Sequence, residues 1–230
     1  MTRPAGLTLV VLAKAPVAGR SKTRLAPRFG PHGAARLAAA ALQDTLDAVA
    51  AAPATRRLLV LAGDLGASTV PVDVPAGFEV RPQVAGSHAA RIAAALAGCD
   101  GPALLVGMDT PQLTPDLLRL DGPADAWLGR AVDGGWWALG LRSPTRSARA
   151  ALRDVPMSTP GTGAAQDARL RALGLAVAQL PVLRDVDEPA DADAVARLAP
   201  RTRFAAVHRT LTVAGALAGV DPGTVAGRAG

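Results

Sequence analysis

The sequence predicts an α/β fold, a mostly parallel mixed sheet with helices on both faces. Short apolar runs alternate with segments of helical period along the chain, the pattern of strands joined by crossover helices. One run, Ala103–Val106, is apolar at every position, as a strand covered on both faces must be. The first run, Leu7–Leu12, leads into AKAPVAGRSKTRLAP (residues 13–27), a Gly/Pro loop that carries Lys14, Arg20, Lys22 and Arg24 within eleven residues. Ligands of open α/β sheets bind beyond the carboxyl ends of the strands, where such a loop emerges.

Each further element has a local reason. Residues Gly33–Ala52 predict a helix, with Leu37, Ala41, Leu42, Thr45, Leu46 and Val49 at helical spacing and Pro53 as its stop. Leu58–Ala62 reads as a strand broken by Gly63, Asp64 and Gly66, and a loop over 67–77 crosses to a strand at Phe78–Arg81. Ser87–Ala97 reads as a helix with Ile92, Ala95 and Leu96 inward. Thr114 as N-cap and Pro115 at the first helical position predict a helix over Thr114–Leu120. Strands at Ala126–Leu128 and Trp136–Leu141 flank an Asp-Gly-Gly turn, followed by helices at Arg146–Arg153 and Gly163–Leu173 and a strand at Leu175–Leu180. Asp187 is placed to cap a last helix over Ala190–Leu198. The expected organisation is one domain over 1–199 and a tail over 200–230. The tail's Phe204, Val207, His208 and Leu211 form a docked helix or an oligomer contact, as in a homodimer, before a disordered end.

Composition narrows the function. Hydrophobic residues make up 50% of the chain, aromatics only 3% and tyrosine none, so Ala, Leu and Val must build the core. The net charge of +6 is spread out except in the first loop, with no basic stripe interleaved with aromatics, which argues against a nucleic-acid partner. The one cysteine, Cys99, excludes an internal disulfide and a cysteine metal cluster; it is expected near a helix end and inert. Arg3 and Pro4 precede a run too short for a signal peptide, and no apolar stretch spans a bilayer, so a cytoplasmic protein is expected.

The cations of the first loop either form a solvated basic loop or meet an anion of several charges, such as a nucleotide di- or triphosphate, which Gly19 lets backbone approach. Asp109 follows the strand Ala103–Val106 directly, where it either meets a ligand or caps the turn before Pro111. Asp185 and Asp187 alternate in an extended segment and can converge on one Mg²⁺ or Mn²⁺. The alternative is that Asp187 only caps the last helix. Asp133-Gly134-Gly135 predicts a tight turn with exposed backbone N–H groups, and of the adjacent Trp136 and Trp137 at most one faces a pocket. This turn and Trp136 are expected on the acceptor side, opposite the phosphate loop. Ser158 and Thr159 either bind a substrate hydroxyl or phosphate or cap a turn. His32, His88 and His208 lack metal-ligand spacing and read as surface or capping residues. No nucleophile elbow, Walker A spacing or dinucleotide fingerprint is present.

Four segments occur in order: AKAPVAGRSKTRLAP, GMDTPQLTP, GRAVDGGWWALGL and LRDVDEPADADAVARL. The set resembles the bacterial glycosyltransferase-A-like family that includes radical-SAM/selenodomain-associated transferases and uncharacterised glycosyltransferases. It is similar, more distantly, to the 2-phospholactate guanylyltransferases. The resemblance covers about residues 7–198. It implies a nucleotide-diphosphosugar transferase (glycosyltransferase-A, Rossmann-like) fold and nucleotide contacts at Ala13, Lys14, Pro16, Gly19, Arg20, Lys22, Arg24, Gln83 and Gly86. It further implies catalytic roles for Lys22 and Asp109, substrate contacts at Asp133, Gly134, Gly135, Trp136, Ser158 and Thr159, and Mg²⁺ or Mn²⁺ held by Asp109, Asp185 and Asp187. The implied reaction is metal-dependent glycosyl transfer from a nucleotide-diphosphosugar to a small acceptor. The alternatives are guanylyltransferase-like nucleotidyl transfer from a nucleoside triphosphate, releasing pyrophosphate, or a nucleotide-binding module without turnover. Met108, Trp136, Met157 and the segment Gly86–Arg91 depart from the family pattern.

Overall fold

The computed structural model describes residues 6–218. Seven strands form one sheet: β1 (Thr8–Lys14), β2 (Arg56–Ala62), β3 (Phe78–Pro82), β4 (Ala103–Val106), β5 (Ala126–Ala131), β6 (Trp136–Leu141) and β7 (Val177–Leu183). Their order is β3-β2-β1-β4-β6-β5-β7. All neighbours are parallel except β6, which runs antiparallel to both β4 and β5. The expected mostly parallel α/β sheet is therefore present.

Alternation along β1 divides the core. Leu9, Val11 and Ala13 face α1 (Ala26–Ala51), where Leu42, Leu46 and Val49 receive them. Val10 and Leu12 face the other side and pack with Ile92 and Leu96 of α2 (His88–Ala97), Leu152 of α3 (Pro144–Leu152) and Leu170 of α4 (Thr162–Ala172). Helix α1 starts earlier than its sequence periodicity, at Ala26, and breaks its path at Gly30 (φ 70°, ψ 164°) before Pro31.

Three local expectations are corrected. The helix over Thr114–Leu120 is only a 3-10 turn, Pro115–Leu118; Arg119 turns extended (φ −99°, ψ 141°) and no helical turn follows. The last strand runs to Leu183, through Pro181, which an edge strand tolerates. Glu188, not Asp187, is the N-cap of α5 (Pro189–Leu198), and Asp191 accepts from the Glu188 backbone N–H at 3.0 Å. Asp187 is thereby left free for other contacts. Cys99 sits just after α2, buried, and burial pushes its thiol up to about 11, so it is not a thiolate.

The segment after Pro200 folds as α6 (Arg203–Ala218) and docks on α1 and α5. The Asp44 carboxylate of α1 accepts from the backbone N–H groups of Arg203 and Phe204, both at 2.9 Å, satisfying donors at the start of α6. Phe204 is 1% exposed against Leu37, Val186 and Val195. The end expected to be disordered lies outside the described residues, as do Arg3 and Pro4. No helix among the described residues is long and apolar enough to cross a membrane. Phe204→Ala is expected to lower unfolding stability by about 3–5 kcal/mol, measured by urea denaturation. A change within error would mean that α6 adds nothing to the core.

Candidate functional site

Because β6 runs against its neighbours, its first residue, Trp136, lies at the same sheet edge as the carboxyl ends of β1, β4, β5 and β7. That edge collects Lys14 from β1, Asp109 after β4, Asp133 from the β5–β6 turn, and Asp185 and Asp187 after β7.

The loop after β1 is held by its own hydrogen bonds. Ser21 Oγ donates to the Ala15 carbonyl at 2.9 Å and accepts from the Val17 N–H, while the Ala18 N–H donates to Thr69 Oγ1 at 2.7 Å. Pro16 is buried, with its carbonyl accepting from the Thr69 N–H at 2.9 Å. Gly19 (φ 73°) turns the exposed tip, and Lys14 Nζ donates to the Arg20 carbonyl. Lys22 adopts a left-handed backbone (φ 49°, ψ 46°) and sends its ammonium inward, 12% exposed, to Asp109 Oδ2 at 3.0 Å and Asp187 Oδ1 at 2.8 Å. Burial opposes that charge, but the two carboxylates outweigh it and hold the Lys22 pKa above the ordinary value. Lys14, Arg20 and Arg24 stay exposed around a pocket of about 380 Å³ that also reaches Asp109, Ser158 and Asp187.

Carboxylate oxygens of Asp133, Asp185 and Asp187 lie within 4.8 Å of one another. The sequence grouped Asp109 with Asp185 and Asp187; the structure brings Asp133 into that group and ties Asp109 to Lys22. Pairing of β5 with β7, which sets Ala131 beside Leu183, is what carries the Asp133 turn to the end of β7. Asp185 is raised to about 6 by burial and by the charges of Asp133 and Asp187. Three crowded oxygen donors suit a hard divalent cation such as Mg²⁺ or Mn²⁺.

The triad opens into a cleft of about 520 Å³. Trp136 lines it, half-buried, and its Nε1 is buried without a hydrogen-bond partner. Trp137 is 3% exposed and donates from Nε1 to the Pro181 carbonyl at 3.0 Å, so it is mainly a core residue. The turn does not offer the backbone donors expected of it: the Gly134 N–H donates to the Ala131 carbonyl at 3.1 Å and the Gly135 N–H to Asp133 Oδ1 at 2.7 Å. Ser158 (φ 60°) and Thr159 also line the cleft, and the Thr159 N–H is capped by Thr162 Oγ1. Gln83 spends its amide donors on the carbonyls of Ala13 and Val60, at 2.7 and 3.2 Å, and its Oε1 accepts from Arg91. Neither Gln83, the exposed Gly86 nor the buried Ala13 lines the cleft. His88 is exposed, as the sequence suggests, and also lines the cleft at the start of α2. Burial and Arg91 lower its pKa against the pull of Asp109, so the ring is neutral at pH 7. Thr110 was not singled out from the sequence: it is 1% exposed, with an unpartnered Oγ1 beside the cleft.

Two outcomes are expected. Gly134 has φ 91°, and an added Cβ would lie 1.9 Å from the Pro160 carbonyl oxygen. Gly134→Ala should therefore destabilise the protein by more than the roughly 1–3 kcal/mol of backbone strain alone, read from chemical unfolding. An unchanged midpoint would refute that close approach. The raised Asp185 pKa means that the folded chain holds this proton more tightly than the unfolded chain, whose carboxylate titrates near 3.8. Stability from this group is complete below that value and is lost as pH rises through about 6. Without divalent ions, Asp185→Asn should raise the melting temperature at pH 7.5 and have less effect at pH 4; equal shifts at both would contradict the clustering.

Comparisons with solved structures show the same fold. A provisionally assigned nucleotide-diphospho-sugar transferase from Desulfovibrio desulfuricans G20 superposes with a TM-score of 0.78 at 22% identity, over 94% of this chain and 99% of that one. Rv0371c from Mycobacterium tuberculosis H37Rv gives 0.55 at 23% identity, over 85% and 100%. The CMP:2-keto-3-deoxy-manno-octonic acid synthetase in complex with CTP gives 0.53 at 12% identity, over 86% and 99%. The fold is thus that of the nucleotide-diphosphosugar transferases. No curated protein matches the sequence. Residues 45–159, which hold Asp109, Asp133 and the Ser158-Thr159 loop, match the family model described as "Uncharacterized protein conserved in bacteria", and the chain belongs to that family, DUF2064.

Proposed function

We propose that this protein is a metal-dependent glycosyltransferase that uses a nucleotide-diphosphosugar donor. The observation that carries the reading is one arrangement: an exposed cationic pocket and a carboxylate triad share a sheet edge, with Lys22 reaching from the loop of the first to Asp187 of the second. Likeness in fold to a nucleotide-diphospho-sugar transferase supports it.

Lys14, Arg20 and Arg24 would bind the donor's diphosphate as charge-assisted hydrogen-bond donors. Asp133, Asp185 and Asp187 would hold Mg²⁺ or Mn²⁺. When bound, such an ion stabilises charge on phosphate oxygens as the sugar–phosphate bond breaks. Lys22 supplies a fixed positive charge beside those oxygens, already desolvated, so little reorganisation is needed as charge develops. Asp109 holds the Lys22 ammonium in place. Trp136, Ser158 and Thr159 line the space left for an acceptor, with Gly134 and Gly135 shaping the turn that positions Asp133. This reading places the chemistry at the carboxyl ends of the strands, where α/β sheets bind ligands.

Likeness to a synthetase in complex with CTP favours a second reading, nucleotidyl transfer from a nucleoside triphosphate. Product analysis separates the two: free nucleoside diphosphate marks glycosyl transfer, and pyrophosphate marks nucleotidyl transfer. Calorimetry with Mn²⁺ and a panel of nucleoside diphosphates tests the site itself. Arg20→Ala should weaken nucleotide binding by about 1.5–3 kcal/mol. Asp187→Asn should abolish the Mn²⁺ dependence of that binding. Nucleotide affinity unchanged in both variants would overturn the assignment.

A further inference from the structure

The charges around the cleft restrict what the acceptor can be. Four carboxylates, Asp109, Asp133, Asp185 and Asp187, line it, and among the described residues Arg24 is the one cation that does. Lys22 offsets one more from the neighbouring pocket, pairing with Asp109 and Asp187. A divalent ion on the triad balances the other two. Lys14 and Arg20 open on the phosphate pocket and do not line the cleft, and Arg24, which lines both, is shared with the donor's diphosphate. An anionic acceptor would enter this cleft with no positive charge left to receive it, and unpaired charge in a partly desolvated site is strongly disfavoured.

The uncharged side of the cleft has its own character. Leu12, Ile92, Leu105 and Met157 give it an apolar wall, with the Trp136 indole beside them. Two polar atoms on residues lining the cleft are buried and unpartnered: Thr110 Oγ1, on a residue 1% exposed, and Trp136 Nε1. Buried donors without partners are rare in folded proteins, and both can serve a neutral oxygen. A neutral hydroxyl must lose a proton when it attacks, which an anionic oxygen would not. His88, at the start of α2, and Asp109, after β4, line the same cleft.

We propose, on the reading of the site as a glycosyltransferase, that the acceptor is an uncharged alcohol of the sugar or polyol class and that His88 receives its proton. The acceptor oxygen bonds to the donor's anomeric carbon as the bond from that carbon to the phosphate oxygen breaks. The hydroxyl proton passes to the free imidazole nitrogen, and the nucleoside diphosphate leaves with the bonding pair. This assignment separates the protein from transferases whose acceptor is a phosphorylated acid.

The test uses the full chain with Mn²⁺ and the nucleoside diphosphate that binds it best. Methyl α-glucoside, glycerol, glucose 1-phosphate and 3-phosphoglycerate are then titrated calorimetrically. A neutral probe should bind about tenfold or more tightly than either anion, and Thr110→Val should weaken it without altering nucleotide affinity. Tighter binding of an anion, or no binding of either neutral probe to the loaded protein, overturns the proposal. Failure of every nucleoside diphosphate to bind would instead overturn the glycosyltransferase reading on which it rests. With a nucleotide-sugar that is turned over, His88→Gln should lower kcat by about 100-fold at unchanged donor KM. Full turnover in that variant would remove His88 from the proton's path.

Discussion

The ammonium of Lys22, held between Asp109 and Asp187, is the contact on which the rest of the edge depends. It joins the loop after β1 to the ends of β4 and β7. A left-handed backbone at a non-glycine residue costs on the order of 1–3 kcal/mol and persists only where the surroundings over-determine it. Here they do: Ser21 is pinned to the Ala15 carbonyl on one side, and Leu25 is fully buried on the other. Removing either carboxylate would leave a buried cation short of a partner, which is far costlier than losing a surface ion pair.

The same contact divides the edge electrically. On one side, exposed Lys14, Arg20 and Arg24 make a surface suited to phosphate. On the other, three carboxylates crowd together, and Asp185 carries the penalty of their repulsion as a raised pKa. Neither half is settled by itself. Lys22 ties the positive loop to part of the negative cluster, and Asp133 and Asp185 stay outside that bridge. His88 and the apolar wall line the same cleft as these carboxylates.

Much of this was legible in the residues. Strand runs with Gly/Pro breaks placed the sheet, and cations directly after the first run placed the exposed basic pocket. What failed did so for identifiable reasons. Thr114 and Pro115 are strong helix-start signals, but four residues make only a 3-10 turn before Arg119 extends. Asp187 looked like a helix cap because capping is local, whereas its partner Lys22 is 165 residues away. Asp133 could not be joined to Asp185 and Asp187 without knowing that β5 pairs with β7, a non-local register that no periodicity reveals. The occupied donors of the Gly134-Gly135 turn were readable after all, since an Asp two residues before a glycine commonly accepts from it.

The span between Lys22 and Asp187 also has a meaning in time. Both ends of this bridge must leave the ribosome before it can close, and 165 residues separate them. At about 5–20 residues per second, translation alone imposes a delay of roughly 8–33 s. The first loop has its cation but lacks both anchors until Asp109 emerges, and lacks Asp187 for the whole interval. The strained Lys22 backbone has no complete reason to form during it. A half-made chain therefore cannot present the finished edge, which is complete only after β7 and its acidic segment have been synthesised and added to the sheet.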